Sequence, residues 1–217
     1  MGKRITEKFF SLFVTIAYKQ IGTKIRTDAL KFFFDSFFIV VEKAGLKFEI
    51  ISSNYIKLYD DIVEKEINMA KISSTDKILV MGCGSLPATS ALLAIKTKAN
   101  VTAIDINQKS LQDASLYLKN LQLNDKIILE HADGQKYPVD TFNFIFILHG
   151  VRPQQQILRY VAENMQKKTK IIFRTVLDEK DKTSNASQNI TDLLLIENNV
   201  CSEYLGSIDS LLLSKKS

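Results

Sequence analysis

The glycine-rich segment between residues 82 and 87 has the residue types that best suit ligand chemistry. An apolar run leads into Gly82-Cys83-Gly84-Ser85-Leu86-Pro87, the pattern of a strand that turns into a helix. Gly82 permits a sharp turn, and Gly84 lets a ligand approach the backbone, because neither residue has a Cβ. Pro87 suits the first helical turn, where exposed amides could face a carboxylate. The third glycine of a dinucleotide site is absent, and the turn alone is equally compatible with a structural role.

Acidic residues stand at the ends of the next two predicted strands. Asp105 comes 23 residues after Gly82, at a position where a carboxylate can accept both hydroxyls of a ribose. Asp133 follows Ala132 and could reach an adenine amino group, although an acid there is also typical of a turn or a helix cap. Together, these features favour one ligand that carries an adenosine, and without a pyrophosphate loop that ligand is S-adenosylmethionine.

The elements that must position these residues change in character near residue 75. Before that point, apolar residues recur at three- and four-residue intervals, which predicts a helical N-terminal cap at 1–74. From 75 to 217, short apolar runs alternate with helical stretches, which predicts an α/β fold with a doubly wound, mostly parallel seven-stranded Rossmann-like sheet. The predicted strands are Lys77 to Gly82, Asn100 to Asp105, Lys126 to Glu130, Phe142 to Leu148, Lys170 to Val176, Asp192 to Glu197 and Ser207 to Ser214. The predicted helices between them are Pro87 to Lys96, Gln108 to Leu121 and Gln154 to Gln166. The polar stretch Asp178 to Asn189 is predicted to be a loop, either a lid or a solvated insertion.

Composition limits the functional classes. The net charge of +5 is scattered along the chain and gives no support to nucleic-acid binding. Two lone cysteines, Cys83 and Cys201, cannot form a disulfide framework or a four-ligand zinc site, and only His131 and His149 could add imidazoles. We therefore expect a reduced, cytoplasmic protein without a metal. Phe32 to Val41 is too short and too interrupted to cross a membrane. Phe32 to Phe38 could cover the sheet or a partner subunit, as in a homodimer.

The segment Gly82-Cys83-Gly84-Ser85-Leu86-Pro87-Ala88-Thr89-Ser90 resembles the glycine-x-glycine-x-leucine-proline-x-threonine-serine signature of nicotianamine synthases and their bacterial staphylopine-synthase-like relatives. Three further stretches are similar to that family: Asn54-Tyr55, the apolar run ending in His149-Gly150-Val151, and Asn164-Met165 followed by the strand ending in Arg174-Thr175. The resemblance spans about residues 50 to 217 and implies the class I methyltransferase fold.

The resemblance implies transfer of the 3-amino-3-carboxypropyl group of S-adenosylmethionine to a small-molecule amine or amino-acid-derived substrate, with release of methylthioadenosine. It assigns Tyr55 to the reaction centre and Arg174 to a substrate carboxylate, although either residue could instead be structural. The family glutamate ahead of the asparagine-tyrosine pair is missing, and Asp28, Asp35 or Glu42 could replace it. The predicted cofactor-binding residues are Gly82, Cys83, Gly84, Ser85, Leu86, Pro87, Thr89, Asp105, Ile106, Ala132, Asp133, His149 and Gly150.

Other functions stay open at the level of sequence. A conventional small-molecule N- or O-methyltransferase would use the same cofactor and release S-adenosylhomocysteine instead. A nucleic-acid methyltransferase would suit the isoelectric point of about 9.0 but would normally show aromatic residues beside clustered cations. A cofactor-binding scaffold without activity is the alternative that is not an enzyme.

Overall fold

The computed structural model describes residues 49–176, 192–202 and 208–216, with the backbone alone for 49–55 and for 176. The predicted helices before residue 49, Phe32 to Phe38 and the loop Asp178 to Asn189 lie outside the described residues. The division between a cap at 1–74 and a domain at 75–217 therefore stays a prediction.

Seven strands form one sheet in the order β3-β2-β1-β4-β5-β7-β6. The strands are β1 (Lys77–Met81), β2 (Asn100–Asp105), β3 (Ile127–His131), β4 (Phe144–Ile147), β5 (Lys170–Val176), β6 (Leu194–Cys201) and β7 (Ile208–Lys215). The first five run parallel, and β7 pairs antiparallel with both β5 and β6. The described helices are α1 (Glu49–Ala70), α2 (Ala88–Thr97), α3 (Gln108–Asn120) and α4 (Gln154–Asn164). The predicted doubly wound, mostly parallel sheet of seven strands is confirmed.

The central strands are buried on both faces, as expected of a parallel sheet covered by helices. Ile78 and Val80 of β1 belong to the core that includes α1, α2 and α3. Leu79 and Met81, which point to the opposite face, belong to the core that includes α4. The continuous apolar run therefore buries β1 in the centre of the sheet. The glycine turn, which directly follows β1, then lies at the carboxyl edge of the sheet.

Helix α1 contributes to the core through residues at helical spacing. Leu58, Tyr59, Ile62 and Val63 are buried in the same cluster as β1 and α2. Glu66, one turn further on, is also buried, although it is charged. Within the described part of the chain, no helix combines the length and the apolar character that a membrane crossing requires.

Strands β2 and β5 have the predicted bounds, the other strands differ at one or both ends, and the differences are largest at β4 and β6. Strand β4 begins at Phe144 rather than Phe142, because the Phe142 carbonyl accepts the Thr169 hydroxyl (2.7 Å) and the Asn143 side chain accepts the Lys77 N–H (2.8 Å). Strand β6 begins at Leu194 and continues to Cys201, beyond the predicted end at Glu197, and its register with β7 shifts between Ile196 and Asn198.

Candidate functional site

A cavity of about 420 Å³ lies at the carboxyl ends of β1, β2 and β4, beside the first turns of α2 and α3. Ten of the residues predicted from the sequence line it: Gly82, Cys83, Gly84, Leu86, Pro87, Thr89, Asp105, His149, Gly150 and Arg174. The structure thus brings the glycine turn, the β2 acid and the end of β4 to one place, as expected for ligand sites in open α/β sheets.

The backbone of the turn requires glycine at residue 82. Gly82 has φ +80° and Gly84 has φ +66°, in the region that residues with a Cβ rarely adopt. A Cβ on Gly82 would also come within 2.4 Å of Cγ2 of Val151. The N–H groups of Gly82 and Cys83 both donate to the Ile104 carbonyl, at 2.8 Å and 3.2 Å. The turn is therefore held directly against the end of β2.

Asp105 connects the glycine turn to the start of α3. Its Oδ2 accepts the Gly84 N–H at 2.9 Å, and its Oδ1 accepts the Asn107 N–H at 2.9 Å. An ionised carboxylate has about four acceptor sites, so these two bonds leave capacity for ligand hydroxyls. The side chain of Asn107 then caps α3 by accepting the N–H groups of Lys109 and Ser110, at 3.0 Å and 3.2 Å.

The first turn of α2 forms another wall of the cavity. Pro87 is the N-cap of this helix rather than a residue of its first turn, and its carbonyl accepts the Ala91 N–H at 2.9 Å. No side chain of the described residues caps the helix, and the Ala88 N–H donates to the Leu86 carbonyl at 2.7 Å. The Ser90 hydroxyl is buried and makes no hydrogen bond to any residue that the structure describes. Ser85 is buried and does not line the cavity.

Arg174 lies in the cavity wall as part of a buried ion pair. Its Nε and Nη2 each donate to a carboxylate oxygen of Glu66 at 2.7 Å, and Nη1 donates to the Thr89 hydroxyl at 2.8 Å. Its guanidinium carbon lies 5.6 Å from the ring centre of Tyr59, a cation–π contact. Glu66 also accepts the Ser210 hydroxyl. The resemblance assigns Arg174 to a substrate carboxylate, but its bidentate pair is made with a carboxylate of the chain itself, and the contact with substrate stays a prediction.

The end of β4 combines a neutral imidazole with open space. Burial, and then the charges of Arg174 and Arg152, lower the pKa of His149 to about 4, so the ring is neutral at physiological pH. A neutral imidazole with this pKa is a weak base but can still donate or accept a hydrogen bond. A Cβ on Gly150 would meet no atom of any described residue within 4 Å. The fold therefore does not need glycine at this position, whereas a ligand would gain the space.

Besides Ser85, five predicted site residues do not line the cavity or cannot be placed against it. Ile106 is 67% exposed, and its carbonyl is bonded to the His131 ring at 2.8 Å. Ala132 donates its N–H to the Asp105 carbonyl at 3.1 Å. Asp133 accepts the Gln135 N–H at 2.9 Å, the turn-forming bond that was the alternative to a ligand contact. Tyr55 lies in α1 without a described side chain, and Asp28 lies outside the described residues, so their roles stay predictions.

Sequence reasoning missed several lining residues, among them Tyr59, Asn107 and Ser110. Tyr59 stands four residues after Tyr55, hence on the same helix face, and this spacing could have identified it. Asn107 could have been recognised as a helix cap, because it follows Asp105 and Ile106 and directly precedes the predicted helix that begins at Gln108. Glu66 had no such signal, because an acid in an amphipathic helix usually faces solvent.

Comparison with known proteins supports the architecture. No family model matches the chain. It is similar to the L-histidine 2-aminobutanoyltransferase of Yersinia pestis, with 23% identity over 124 residues that cover 57% of this chain and 46% of that protein. The chain thus spans less than half the length of this curated relative.

Among solved structures, a glutamate-to-glutamine mutant of the nicotianamine synthase MtNAS in complex with S-adenosylmethionine matches with a TM-score of 0.77 and 16% identity, over 100% of this chain and 93% of that one. An RNA methyltransferase from Salinibacter ruber in complex with S-adenosyl-L-homocysteine matches with a TM-score of 0.54 and 14% identity, over 71% and 90%. Identities this low establish a shared fold. The predicted class I methyltransferase fold and the resemblance to nicotianamine synthase at the level of fold are therefore confirmed.

Proposed function

We propose that this protein is an S-adenosylmethionine-dependent transferase that moves the 3-amino-3-carboxypropyl group to an amine of an amino-acid-derived substrate. The observation that carries the proposal is the cavity at the carboxyl edge of the sheet, where the glycine turn meets Asp105 and Gly150. Its position and its residues suit a nucleoside with a charged tail better than a dinucleotide, because the turn has no third glycine.

The residues of the cavity fit this ligand in three respects. Asp105 retains acceptor sites for the ribose hydroxyls beyond its two backbone bonds. The start of α2, where no described side chain caps the helix, and the buried Ser90 hydroxyl suit an anionic group. Gly150 keeps its part of the wall open.

The cofactor supplies a sulfonium leaving group, and the acceptor nitrogen forms its new bond to the γ-carbon while the bond from that carbon to sulfur breaks. The chain selects the carbon that reacts by orientation, because the three carbons on sulfur differ in their direction toward the acceptor. The amine must lose a proton, and we assign Tyr55 or Asp28 to hold the amine and accept it. The low pKa of His149 makes this imidazole a poor acceptor for the same proton.

The comparisons agree with this choice of chemistry. The Yersinia pestis relative is named for transfer of an aminobutanoyl group to L-histidine, which is an amino-acid acceptor. The MtNAS mutant structure that matches this chain contains S-adenosylmethionine. Because the chain spans 46% of the curated relative, the acceptor of this chain is part of the proposal.

The test is incubation of the purified protein with S-adenosylmethionine and a panel of amino acids and amines, followed by mass spectrometry of both products. We expect methylthioadenosine and an acceptor that carries an added aminocarboxypropyl group. Formation of S-adenosylhomocysteine would instead show a conventional methyltransferase, the alternative that shares this cavity. If the protein neither binds nor consumes S-adenosylmethionine at millimolar concentration, the proposal fails.

A matched pair of variants tests the site itself. Asp105→Asn should weaken binding of methylthioadenosine by roughly 10-fold or more, because it replaces a charged acceptor of the ribose hydroxyls. Asp125→Asn makes the same change at an exposed position beside β3 and should leave binding unaltered. Asp105→Asn should also reduce the preference for methylthioadenosine over its 3′-deoxy analogue. An unchanged preference would place the ribose elsewhere.

A further inference from the structure

A polar network lies behind the cavity wall, and Glu66 is at its centre. Glu66 and Arg174 are both fully buried, with no exposed side-chain surface on either residue. The Glu66 carboxylate takes both Arg174 bonds and the Ser210 hydroxyl, so it joins α1 to β5 and β7. Glu66 does not line the cavity.

Three residues that do line the cavity are arranged around this carboxylate. The Glu66 carboxylate holds Arg174 directly. The Thr89 hydroxyl accepts the third hydrogen bond of the guanidinium, and the Tyr59 ring lies under the guanidinium. Thr89 belongs to the first turn of α2, which lines the cavity. The orientation of this wall therefore depends on a side chain that a ligand does not touch.

Stability alone does not require a pair of charges at this place. Burying two charges costs several kcal/mol of solvation, on the order of what their attraction returns, and apolar residues of similar volume often serve as well. What an ion pair adds is direction, because a guanidinium fork held by a carboxylate has one favourable geometry. Because Thr89 and Tyr59 both contact the guanidinium, its geometry determines where these two residues lie.

We propose that Glu66 is a positioning residue, which, through Arg174, fixes Thr89 and the first turn of α2 in the arrangement that binds the cofactor. This inference rests on the proposed function for the identity of the ligand. Ser210 secures Glu66 from β7 and belongs to the same unit. The network joins four elements, α1, α2, β5 and β7. Glu66 and Ser210 are 144 positions apart in the sequence.

The first test uses Ser210, because it touches Glu66 and does not line the cavity. Ser210→Ala should weaken binding of S-adenosylhomocysteine about three- to tenfold in calorimetry, the range expected for a change within a coupled network. Ser214→Ala makes the same change four residues along β7 and should leave binding within about twofold of the parent. Ser210→Thr, which keeps the hydroxyl, should restore most of the affinity. If Ser210→Ala and the parent bind S-adenosylhomocysteine with equal affinity, the positioning role of Glu66 is contradicted.

The second test separates positioning from stability. Glu66→Met with Arg174→Met removes both charges and keeps an apolar filling of similar length, so thermal unfolding should stay near that of the parent. We expect the folded double variant to lose about tenfold or more in affinity for S-adenosylhomocysteine. Parental affinity in a folded double variant would overturn the proposal, because the pair would then be structural only.

A readout without ligand keeps the inference independent of the proposed function. The methyl resonance of Thr89 and the ring resonances of Tyr59 should shift in Ser210→Ala and in Glu66→Gln, and should not shift in Ser214→Ala. Unmoved resonances would refute the positioning role even if the double variant fails to fold. If these resonances shift but the parent binds no adenosyl ligand, the proposed function falls and the positioning role of Glu66 stands.

Discussion

Substitution of Gly82 by alanine is the perturbation for which the structure gives the most definite magnitude. The backbone at Gly82 has φ +80°, where an L-residue costs about 1–2 kcal/mol. The new Cβ would also lie 2.4 Å from Cγ2 of Val151, well inside normal contact distance. Relief of such an overlap costs typically about 1–3 kcal/mol. The expected loss in the free energy of unfolding is therefore about 2–5 kcal/mol, a large part of the usual total.

The two contributions can be separated, because only one of them involves Val151. In a Val151→Ala background, the clashing methyl group is gone and Gly82→Ala should cost only the backbone strain, about 1–2 kcal/mol. The coupling between the two substitutions should thus be about 1–3 kcal/mol in favour of the double variant. Gly150→Ala is the matched control, because its Cβ meets no atom and its cost should be well under 1 kcal/mol.

The assay is equilibrium unfolding in urea of the parent, the three single variants and the double variant Gly82→Ala/Val151→Ala. The reasoning is refuted if Gly82→Ala unfolds within about 1 kcal/mol of the parent, because that is the lower limit of the cost of backbone strain alone. It is also refuted if Val151→Ala does not reduce the cost of Gly82→Ala, since the contact that defines the clash would then be wrong.

Three further perturbations have a direction and a size that follow from the structure. Asn107→Ala removes the acceptor of two N–H groups at the start of α3 and should destabilise the protein by about 1 kcal/mol in urea unfolding, while Asn107→Asp should keep the cap. His149 has a folded pKa of about 4 against 6.5 when unfolded, so the unfolded state binds more protons between these values and stability should fall as the pH drops from 6.5 to 4. The loss in the free energy of unfolding should approach about 2–3 kcal/mol. His149→Gln should not show this loss over the same pH range, and an NMR titration of the His149 ring checks the pKa directly. Glu66→Ala leaves Arg174 buried without its carboxylate and should cost about 3–5 kcal/mol, whereas the paired apolar variant should unfold near the parent; equal losses in the two would contradict the ion-pair account.

The fold was predictable because its signals are local. The run from Ile78 to Met81 is apolar at every position, and the turn that follows contains two glycines within three residues. The parallel strands β1, β2 and β5 were therefore located within one residue of their observed ends. Strand β6 was harder, because its exposed Glu197, Asn198 and Asn199 give no apolar alternation and a register shift interrupts its pairing.

The site was predictable only where neighbouring strand ends supply it. Gly82 and Asp105 meet because adjacent parallel strands end at the same edge, which the sequence order already implies. The pair of Glu66 and Arg174 joins residues 108 positions apart on a helix and a strand, and nothing in either segment indicates its partner. Asp133 carried two interpretations, and the structure shows the turn bond without testing the ligand contact.

The position of β7 has a consequence for the order in which the molecule can assemble. Because β7 lies between β5 and β6, the strand made earlier, β6, cannot join the sheet until the later one has been inserted. A chain emerging from the ribosome can pair β1 to β5 but must leave the outer side of β5 unpaired until residues 208–215 appear, an exposed edge of the kind that promotes aggregation. The hydroxyl of Ser210 arrives with that strand, so the buried carboxylate of α1 receives this partner only after β7 has been synthesised.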